Sequence, residues 1–573
     1  MVSSKEYFTW HVAITLIAAL LFIPFLGAVH LFDWDEINFA ECAREMLVSH
    51  DYSRVQINFQ PFWEKPPLFI WLQVLSMKVF GVNEFAARFP DAIGGILTLN
   101  IIYYFGRKYN NHRFGLLWVL SYGASFLPFL YFKSGIIDPW FNLFMFLSIC
   151  FILQWFHSNK KTNVNALYAG LFAGLAVLTK GPVAILIIGL TFLVSWIRLR
   201  FNPFSNLKNV LLFIVVFLAS GLSWFLFEII TGNFEIVKEF IDYQVRLFST
   251  HDSDHKGFIL YHFLILLIGC FPASLFFIPT HAKNENDTSF QIYTKKWMFN
   301  LFWVVLILFT IVQTKIAHYS SMCYFPLTYL AAYTLYEMFY SGKKLPKIVY
   351  GLGVFLIITL GIVFIAVGLI GYFIPALIKS NLIEDKFAVA CLETPVKWNG
   401  FEWIIGVLFL VSSIYFFVGL HKNKRNVYGL FVSSLVSIWM ITLVIVPKIE
   451  LYSQGPTIEF YESLKGKDCY VETIGFHSYA QLFYTNKQPE QNPPAMLNYV
   501  KDKEQQWSKS KHDETFSFKE FSLEWLLNEP LDKPAYFVAK IIDVQEIKKN
   551  YPDLIELYRK GGFVFYKRLA KHS

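Results

Sequence analysis

The chain has 573 residues, of which 55% are hydrophobic and only 16% are charged. A soluble protein of this length would need far more charged side chains to cover its surface. The apolar residues come in blocks of about 17–25, the length that crosses ~30 Å of hydrocarbon. The composition therefore excludes an ordinary soluble protein and predicts a polytopic α-helical membrane protein.

The net charge of +8 and the six scattered cysteines also narrow the function. Cysteines without paired short spacing favour neither a thiolate metal site nor a disulfide framework. Lysines held on cytoplasmic loops explain the positive charge better than a polyanion does, so we expect membrane lipids but no nucleic acid as partner. We expect a monomer.

The joints between the apolar blocks alternate between basic and non-basic, which fixes the orientation. The first block, Ala13 to Leu31, is too long for a signal-peptide core and predicts a retained span. The basic joints lie near 107–113, 160–161, 198–208, 283–296, 343–347 and 422–425. By the positive-inside rule we expect these joints and the N-terminus to be cytoplasmic and the other joints to face the outside.

One apolar block breaks this alternation if it is counted as a span. Residues 66–80 are only 15 long, and Lys78 lies near their end. We therefore predict a helix lying at the outer interface. Thirteen spans remain, at about 11–32, 90–106, 114–132, 138–156, 165–178, 182–197, 208–230, 258–279, 297–313, 319–340, 346–374, 401–420 and 427–447. An odd number of spans places the C-terminal tail outside.

The composition becomes polar after residue 447, which predicts two domains. We expect residues 1–447 to form a transmembrane domain, with a first outer loop at 33–89 that carries interfacial helices. Residues 448–573 are long enough for one small periplasmic α/β domain. Short alternating runs at 468–473, 535–538 and 563–566 predict its strands, and 486–494 predicts a surface loop.

With this topology, the unusual charges collect on the outer face. Ionisable residues at membrane depth are costly, so each one is a functional candidate. A single interfacial lysine is more often an anchor, and an isolated aspartate at a span end is often a helix cap. Convergence on one face favours a cavity for a phosphate-bearing lipid. The charged groups are Asp35, Glu36, Glu64, Lys65, Asp138, Lys180, Arg246, Lys315 and His318, with Asp242, His251, Asp252, Asp254, His255 and Lys256 in the loop after span seven.

Several motifs resemble those of one enzyme family in order along residues 10–340. Asp35-Glu36, Phe39-Ala40-Glu41 and Arg44-Glu45-Met46 resemble the first-loop signature of aminoarabinose transferase-like enzymes. These enzymes belong, with protein O-mannosyltransferases, to the glycosyltransferase C superfamily. The other matching segments are 62–68, 83–90, 138–139, 178–182 and Lys315 with His318-Tyr319 and Pro326. The resemblance implies a glycosyltransferase C fold with about 13 transmembrane helices, juxtamembrane helices in the first outer loop and a small α/β C-terminal domain.

The resemblance also implies an activity and roles for individual residues. The family transfers a sugar from a polyprenyl phosphate, such as undecaprenyl phosphate, to an acceptor outside the cytoplasm. Asp35 would be the catalytic base and Asp138 a second catalytic carboxylate that orients substrates. The implied substrate-binding residues are Glu36, Asn38, Glu64, Lys65, Arg88, Lys180, Arg246, Lys315, His318 and Tyr319.

Two positions depart from the family pattern. Asn38 stands where the family often has arginine, and Tyr243 stands where some lipid A-modifying members have a metal-associated histidine. The resemblance therefore implies no required cofactor, leaves room for a divalent metal, and leaves the acceptor open among lipid A, another glycolipid, a polysaccharide and a protein.

Chemistry favours an inverting single displacement for such a reaction. A leaving phosphate needs stabilisation of its growing negative charge, and a hydroxyl acceptor needs a base. The alternative function is a flippase or transporter of a lipid-linked glycan, which usually has charged groups at the bilayer midplane. A sensor with a working outer domain would explain the tail but not the loop motifs.

Overall fold

The computed structural model describes residues 4–157, 162–198, 206–249, 258–278, 287–509 and 516–570. The loop residues 251–256 singled out above lie outside these ranges. In the first half the helices are α1 Ser4–Phe22, α2 Asp35–Ser49, α3 Leu68–Phe80, α4 Glu84–Tyr109, α5 His112–Gly123, α6 Phe126–Tyr131, α7 Asp138–His157, α8 Thr162–Lys180, α9 Val183–Arg198, α10 Leu207–Gly221, α11 Ser223–Ile230, α12 Phe234–Ser249, α13 Tyr261–Gly269 and α14 Ala273–Phe277.

The remaining helices extend from the membrane part into a mixed C-terminal region. They are α15 Ser289–Ile311, α16 Tyr324–Tyr340, α17 Lys347–Lys379, α18 Lys386–Leu392, α19 Trp403–Gly419, α20 Asn426–Val444, α21 Val446–Ser453, α22 Gly455–Ser463, α23 Ala480–Thr485, α24 Pro494–Lys509, α25 Phe518–Asn528 and α26 Val544–Asn550. Short 3-10 helices cover Ala317–Cys323, Pro489–Gln491 and Ile541–Asp543. The strands are β1 Gln56–Ile57, β2 Gln60–Pro61, β3 Tyr470–Ile474, β4 Ala535–Lys540, β5 Ile555–Lys560 and β6 Phe563–Arg568.

The chain is a multi-pass helical membrane protein. Within the described ranges, six helical segments are long and apolar enough to cross a membrane: 84–109, 138–157, 162–180, 289–311, 347–379 and 426–453. The pair α10 and α11, bent by 55°, gives a seventh if it is one broken span. Residues 68–80, 183–198 and 403–419 form shorter apolar helices. The count of thirteen spans stays a prediction.

Local sequence explains several of the helix boundaries. The Asn83 side chain accepts a hydrogen bond from the Ala86 N–H at 2.9 Å, so α4 begins with a side-chain cap. Between α8 and α9, Gly181 has φ of 84°, a backbone angle that glycine adopts without strain. A Cβ at Gly181 would lie 2.8 Å from the Phe240 ring. The break predicted at 179–182 is therefore present, and it ends α8 at Lys180.

Predicted span 319–340 differs at its start, where a 3-10 helix over Ala317–Cys323 precedes α16. This tighter segment carries His318 and Tyr319, so their side chains emerge from a short irregular connection between α15 and α16. Predicted span 258–279 is also interrupted, because α13 ends at Gly269 and α14 begins at Ala273 on the other side of Pro272. Hydropathy alone gives the length of an apolar block but not such internal breaks.

The C-terminal region contains a four-stranded sheet with strand order β3-β4-β6-β5. Strands β3 and β4 are parallel, whereas β4–β6 and β6–β5 are antiparallel pairs. A small core of Trp525, Phe537 and Val564 with their neighbours fills one side of the sheet. Three of the strands match the predicted runs, and β5 was not predicted because its exposure does not alternate.

This region packs on the first outer loop rather than standing away from it. The Tyr484 hydroxyl accepts a hydrogen bond from the Leu31 N–H at 2.8 Å. Lys487 Nζ donates to Asn58 Oδ1 at 2.6 Å, and the Asn492 side-chain amide donates to the Asn58 carbonyl at 3.0 Å. The segment 486–494, predicted as a surface loop, is thus partly buried at this contact. The first loop is held between the membrane helices and the sheet region.

Candidate functional site

Five ionisable side chains from four separate parts of the chain come together at one place. Asp35 is the first residue of α2, and its Oδ2 lies 3.7 Å from His318 Nδ1. Asp138 is the first residue of α7, and its Oδ1 accepts a hydrogen bond from Lys180 Nζ at 2.7 Å. Lys65 is the fifth member, since its charge acts on His318 together with those of Asp35, Asp138 and Lys180. We call these five residues the Asp35–Lys180 cluster.

The members of the cluster differ in how open they are. The Asp35 side chain is 40% exposed, whereas the Asp138 side chain is 2% exposed. Asp138 Oδ1 also lies 3.4 Å from the donating Ser321 hydroxyl, but its Oδ2 is buried without a hydrogen-bond partner in the described part of the chain. A buried oxygen in this state is a ready acceptor for a ligand hydroxyl. Asp35 is the accessible carboxylate, and Asp138 is the fixed one.

His318 is uncharged in this setting near neutral pH. Burial lowers the pKa of His318 below its ordinary value, and the positive charges of Lys180 and Lys65 lower it further. Asp138 and Asp35 act in the opposite direction but do not reverse the shift. A neutral imidazole next to Asp35 can accept or donate a hydrogen bond without competing for the cationic lysines.

Two cations flank one tyrosine ring at the edge of the cluster. Lys65 Nζ lies 5.5 Å from the centre of the Tyr243 ring, and the Arg246 guanidinium carbon lies 5.4 Å from it. The Gln244 side-chain amide donates to the Glu64 carbonyl at 3.3 Å, which ties α12 to the loop before α3. Lys65 and Arg246 therefore both lie beside the Tyr243 ring.

The surroundings of Glu64 do not fit a divalent metal. Its carboxylate lies 3.8 Å from Lys65 Nζ, a cation that would compete with a divalent metal for it. In the described ranges there is no group of three or more His, Cys, Asp or Glu residues that could hold a metal ion.

Glu36 and Arg88, both predicted to contact substrate, form a buried pair beneath α2. Arg88 Nε and Nη2 donate to the two Glu36 oxygens at 2.9 and 2.7 Å. The other Arg88 donors bind the carbonyls of Leu26, Val29 and His30. All five guanidinium donors are thus used inside the protein, and the pair fixes the chain between α1 and α2.

Lys315 is likewise occupied by the protein. Its Nζ donates to the carbonyls of Phe309, Thr310 and Val312 at 3.1, 2.7 and 2.5 Å, which satisfies the end of α15. Tyr319 is half-buried, and its ring centre lies 5.5 Å from Lys180 Nζ, so it borders the cluster. Asn38 is 8% exposed and its Oδ1 has no hydrogen-bond partner among the described residues.

The first-loop signature includes Glu41, Arg44 and Glu45, but the sequence did not predict that these residues hold the first loop against the C-terminal region. Arg44 donates to both Glu41 oxygens at 2.7 and 2.6 Å and to the Lys487 carbonyl at 2.8 Å. Glu45 accepts from the N–H groups of Asn58 and Phe59 at 2.6 and 2.7 Å. Three charged residues within five positions of one predicted loop are the signal that the sequence offers, and the structure shows all three to be completely buried.

Trp34, directly before Asp35, has a φ of 74° and is exposed. A non-glycine residue in this backbone region costs about 1–3 kcal/mol and persists only when its surroundings impose it. Two hydrogen bonds hold the backbone in this conformation. The Asp33 N–H donates to Gln454 Oε1 at 3.3 Å, and the Phe32 N–H donates to Glu36 Oε2 at 2.9 Å, across Trp34. The strained turn aims α2 so that Asp35 points at His318.

Comparison with solved structures defines the class of fold. ArnT from Cupriavidus metallidurans in the apo state superposes with a TM-score of 0.72 at 18% identity, over 98% of both chains. The same protein bound to undecaprenyl phosphate gives a TM-score of 0.71 at 17% identity over both complete chains. The chain therefore has the same fold as this ArnT.

Comparison of sequences finds similar enzymes. The profile of dolichyl-phosphate-mannose-protein mannosyltransferases matches residues 64–224. The undecaprenyl phosphate-alpha-4-amino-4-deoxy-L-arabinose arabinosyl transferases of Wigglesworthia glossinidia brevipalpis and Edwardsiella ictaluri are both 26% identical, over 58% and 57% of this chain. An uncharacterized protein of Aquifex aeolicus is 28% identical over 61% of this chain and 77% of its own. The resemblance to aminoarabinose transferase-like enzymes is confirmed. The matches span 60% and 59% of the two arabinosyl transferases.

Proposed function

We propose that this protein is a membrane glycosyltransferase that moves a sugar from a polyprenyl phosphate to an acceptor outside the cytoplasm. The observation that carries the proposal is the Asp35–Lys180 cluster, in which two carboxylates, two lysines and an imidazole converge from separate chain segments. The similar arabinosyl transferases and the related structure with bound undecaprenyl phosphate support a polyprenyl-phosphate donor.

The donor phosphate is placed beside Lys65 and Arg246. Both cations lie about the Tyr243 ring, and a phosphate there would receive charge-assisted hydrogen bonds in a partly dry site. The bond that breaks joins the sugar C1 to the phosphate oxygen, and its electron pair leaves with the phosphate. Lys65 and Arg246 stabilise that growing negative charge, so no general acid is needed.

The acceptor hydroxyl is placed beside Asp35. As its oxygen forms the new bond to C1, its proton passes to the Asp35 carboxylate, which is exposed enough to be reached. Asp138, held by Lys180, orients a sugar hydroxyl through its second oxygen. One carboxylate base and a direct displacement give inversion at C1.

Sidedness and domain limits belong to the same proposal. The first loop and residues 448–573 face the periplasm of a bacterial inner membrane, and residues 1–447 form the catalytic membrane domain. The contact of Arg44 and Asn58 with the segment 486–492 supports one shared side for the loop and the C-terminal region.

The test uses membranes from a deletion strain that carries a plasmid copy of the chain. Radiolabelled undecaprenyl phosphate-linked aminoarabinose and mannose are supplied separately, and label is followed into lipid, polysaccharide and protein fractions. Label in an acceptor fraction only when the chain is present is the expected result. Label that crosses the bilayer but stays on undecaprenyl phosphate would overturn the proposal in favour of a flippase.

A further inference from the structure

Trp34 is unusual among the tryptophans of this protein. All 16 tryptophans lie in the described ranges, and Trp34, at 64% exposure, is the only one in the exposed class. It directly precedes Asp35, the accessible carboxylate of the cluster. A large apolar ring left open beside a catalytic group is a candidate contact for a ligand.

The C-terminal region supports one face of this ring. The Trp34 and His477 rings are stacked, with centroids 5.7 Å apart and an angle of 11° between their planes. His477 is itself exposed, so the pair forms a surface platform with the indole on the outer side.

Both members of the platform are anchored by polar contacts. Ser478 donates a hydrogen bond to the carboxylate of Asp33, which precedes Trp34. On the other side, Lys519 Nζ donates to Thr473 Oγ1 at 2.8 Å and to the Phe476 carbonyl at 3.1 Å, which holds the turn that carries His477. The orientation of the indole is therefore imposed before any ligand arrives.

We propose that Trp34, backed by His477, is the acceptor subsite and binds the apolar face of a pyranose ring. This inference rests on the proposed function and assigns the acceptor to a carbohydrate class. The C–H face of a pyranose carries a partial positive charge that suits the negative face of an indole. Its hydroxyls project from the ring edge, and Asp35, the next residue along the chain, is the accessible carboxylate that can accept a hydrogen bond from one of them. A sugar stacked on Trp34 presents a hydroxyl to Asp35.

The surroundings favour a sugar over a lipid tail. Tryptophans at a membrane interface place their ring among headgroups and acyl chains. Trp34 instead lies between two aspartates in sequence and against an imidazole, and Lys519 acts on the same Asp33. An acyl chain on this ring would desolvate these polar groups without replacing their hydrogen bonds.

The test compares the unaltered protein with Trp34→Gly, Trp34→Phe and His477→Ala. Glycine removes the ring and adopts φ of 74° without strain, so the turn is kept. Saturation-transfer NMR on full chains in lipid nanodiscs uses methyl β-D-glucopyranoside and methyl α-D-mannopyranoside as probes, with glycerol as the compound that lacks a ring face. We expect ring-proton signals in the unaltered chain and in Trp34→Phe, at least fivefold weaker signals in Trp34→Gly, and an intermediate loss in His477→Ala.

Phe401→Ala is the matched control, because it removes another exposed aromatic ring and should leave the pyranoside signals unchanged. Binding of radiolabelled undecaprenyl phosphate, equal in all variants, shows that the fold is intact. Equal pyranoside signals in the unaltered chain and Trp34→Gly would overturn the subsite.

Transfer of label separates this inference from the proposed function. We expect transfer by Trp34→Gly to fall at least tenfold with donor binding unchanged. Transfer by the unaltered chain and by Trp34→Gly at the same rate would refute the subsite alone. No transfer by the unaltered chain to any fraction would instead refute the proposed function.

Discussion

Lys180 Nζ and Asp138 Oδ1 lie 2.7 Å apart and join the last residue of α8 to the first residue of α7. The pair is mostly buried, and the second Asp138 oxygen has no partner among the described residues. Such a pair positions a carboxylate for a ligand and also stabilises the helix ends. A single substitution therefore affects both ligand binding and the stability of the fold. The two contributions have to be separated by combining substitutions.

Lys180→Ala should lower both stability and transfer, whereas Lys65→Ala should lower donor use alone. Removal of Lys180 leaves Asp138 charged and buried, which costs about 3–5 kcal/mol for a buried pair. Lys65 is 17% exposed and pairs only loosely with Glu64 at 3.8 Å. Thermal unfolding in detergent and the apparent KM for radiolabelled donor check both expectations.

The double variant Lys180→Ala with Asp138→Asn should recover most of the lost stability but none of the transfer. Lys238→Ala is the matched control for the single lysine substitutions, since it removes an exposed lysine of α12 that pairs with Glu235. If the KM for the donor in Lys65→Ala is the same as in Lys238→Ala, Lys65 does not bind the phosphate.

Asp35→Asn should abolish transfer and leave donor binding unchanged. Asparagine keeps the size of the side chain but cannot take the acceptor proton, and loss of a positioned base typically costs about 10²–10⁴-fold in rate. Asp51→Asn, which changes a partly exposed carboxylate of the same outer loop, is the matched control. Single-turnover transfer and equilibrium binding of labelled donor distinguish the two effects, and unchanged turnover would rule out Asp35 as the base.

Sequence patterns predicted the parts of the site that depend on local chemistry. The helix after Pro67, the break at Gly181 and the placement of Asp138 at a helix start are all visible in hydropathy, proline and glycine positions. The convergence of these residues was inferred from sidedness and from the family resemblance, because no local pattern reports a distance between α2 and the segment after α15.

Contacts between distant segments could not be predicted from one sequence. The C-terminal region touches the first loop through pairs more than 400 residues apart, such as Leu31 with Tyr484 and Asn58 with Lys487. Lys315 and Arg88 have the charge of phosphate ligands, but both are already occupied within the protein. Lys315 donates to three backbone carbonyls, and Arg88 donates to three backbone carbonyls and the Glu36 carboxylate. Charge and sidedness cannot distinguish a cation that caps a helix from one that faces a ligand.

Transfer should be steady above pH of about 6.5 and should fall as the pH decreases below it. Burial, with Lys180 and Lys65, lowers the pKa of His318, so the neutral imidazole is the form present in the upper range. Protonation at lower pH adds a third cation and draws Asp35 into an ion pair. In His318→Gln, the pH profile of kcat should lack this decrease at low pH. If kcat of the variant decreases at low pH as it does in the unaltered chain, another group is responsible.

Arg88→Ala should destabilise the protein by about 3–5 kcal/mol, because Glu36 would remain buried without its partner. Arg88→Lys should recover only part of the loss, since an ammonium cannot bind both Glu36 oxygens and three carbonyls together. Urea unfolding of the nanodisc-bound chain measures the change. If Arg88 instead acts on the donor phosphate, Arg88→Lys will keep its stability and lose donor affinity.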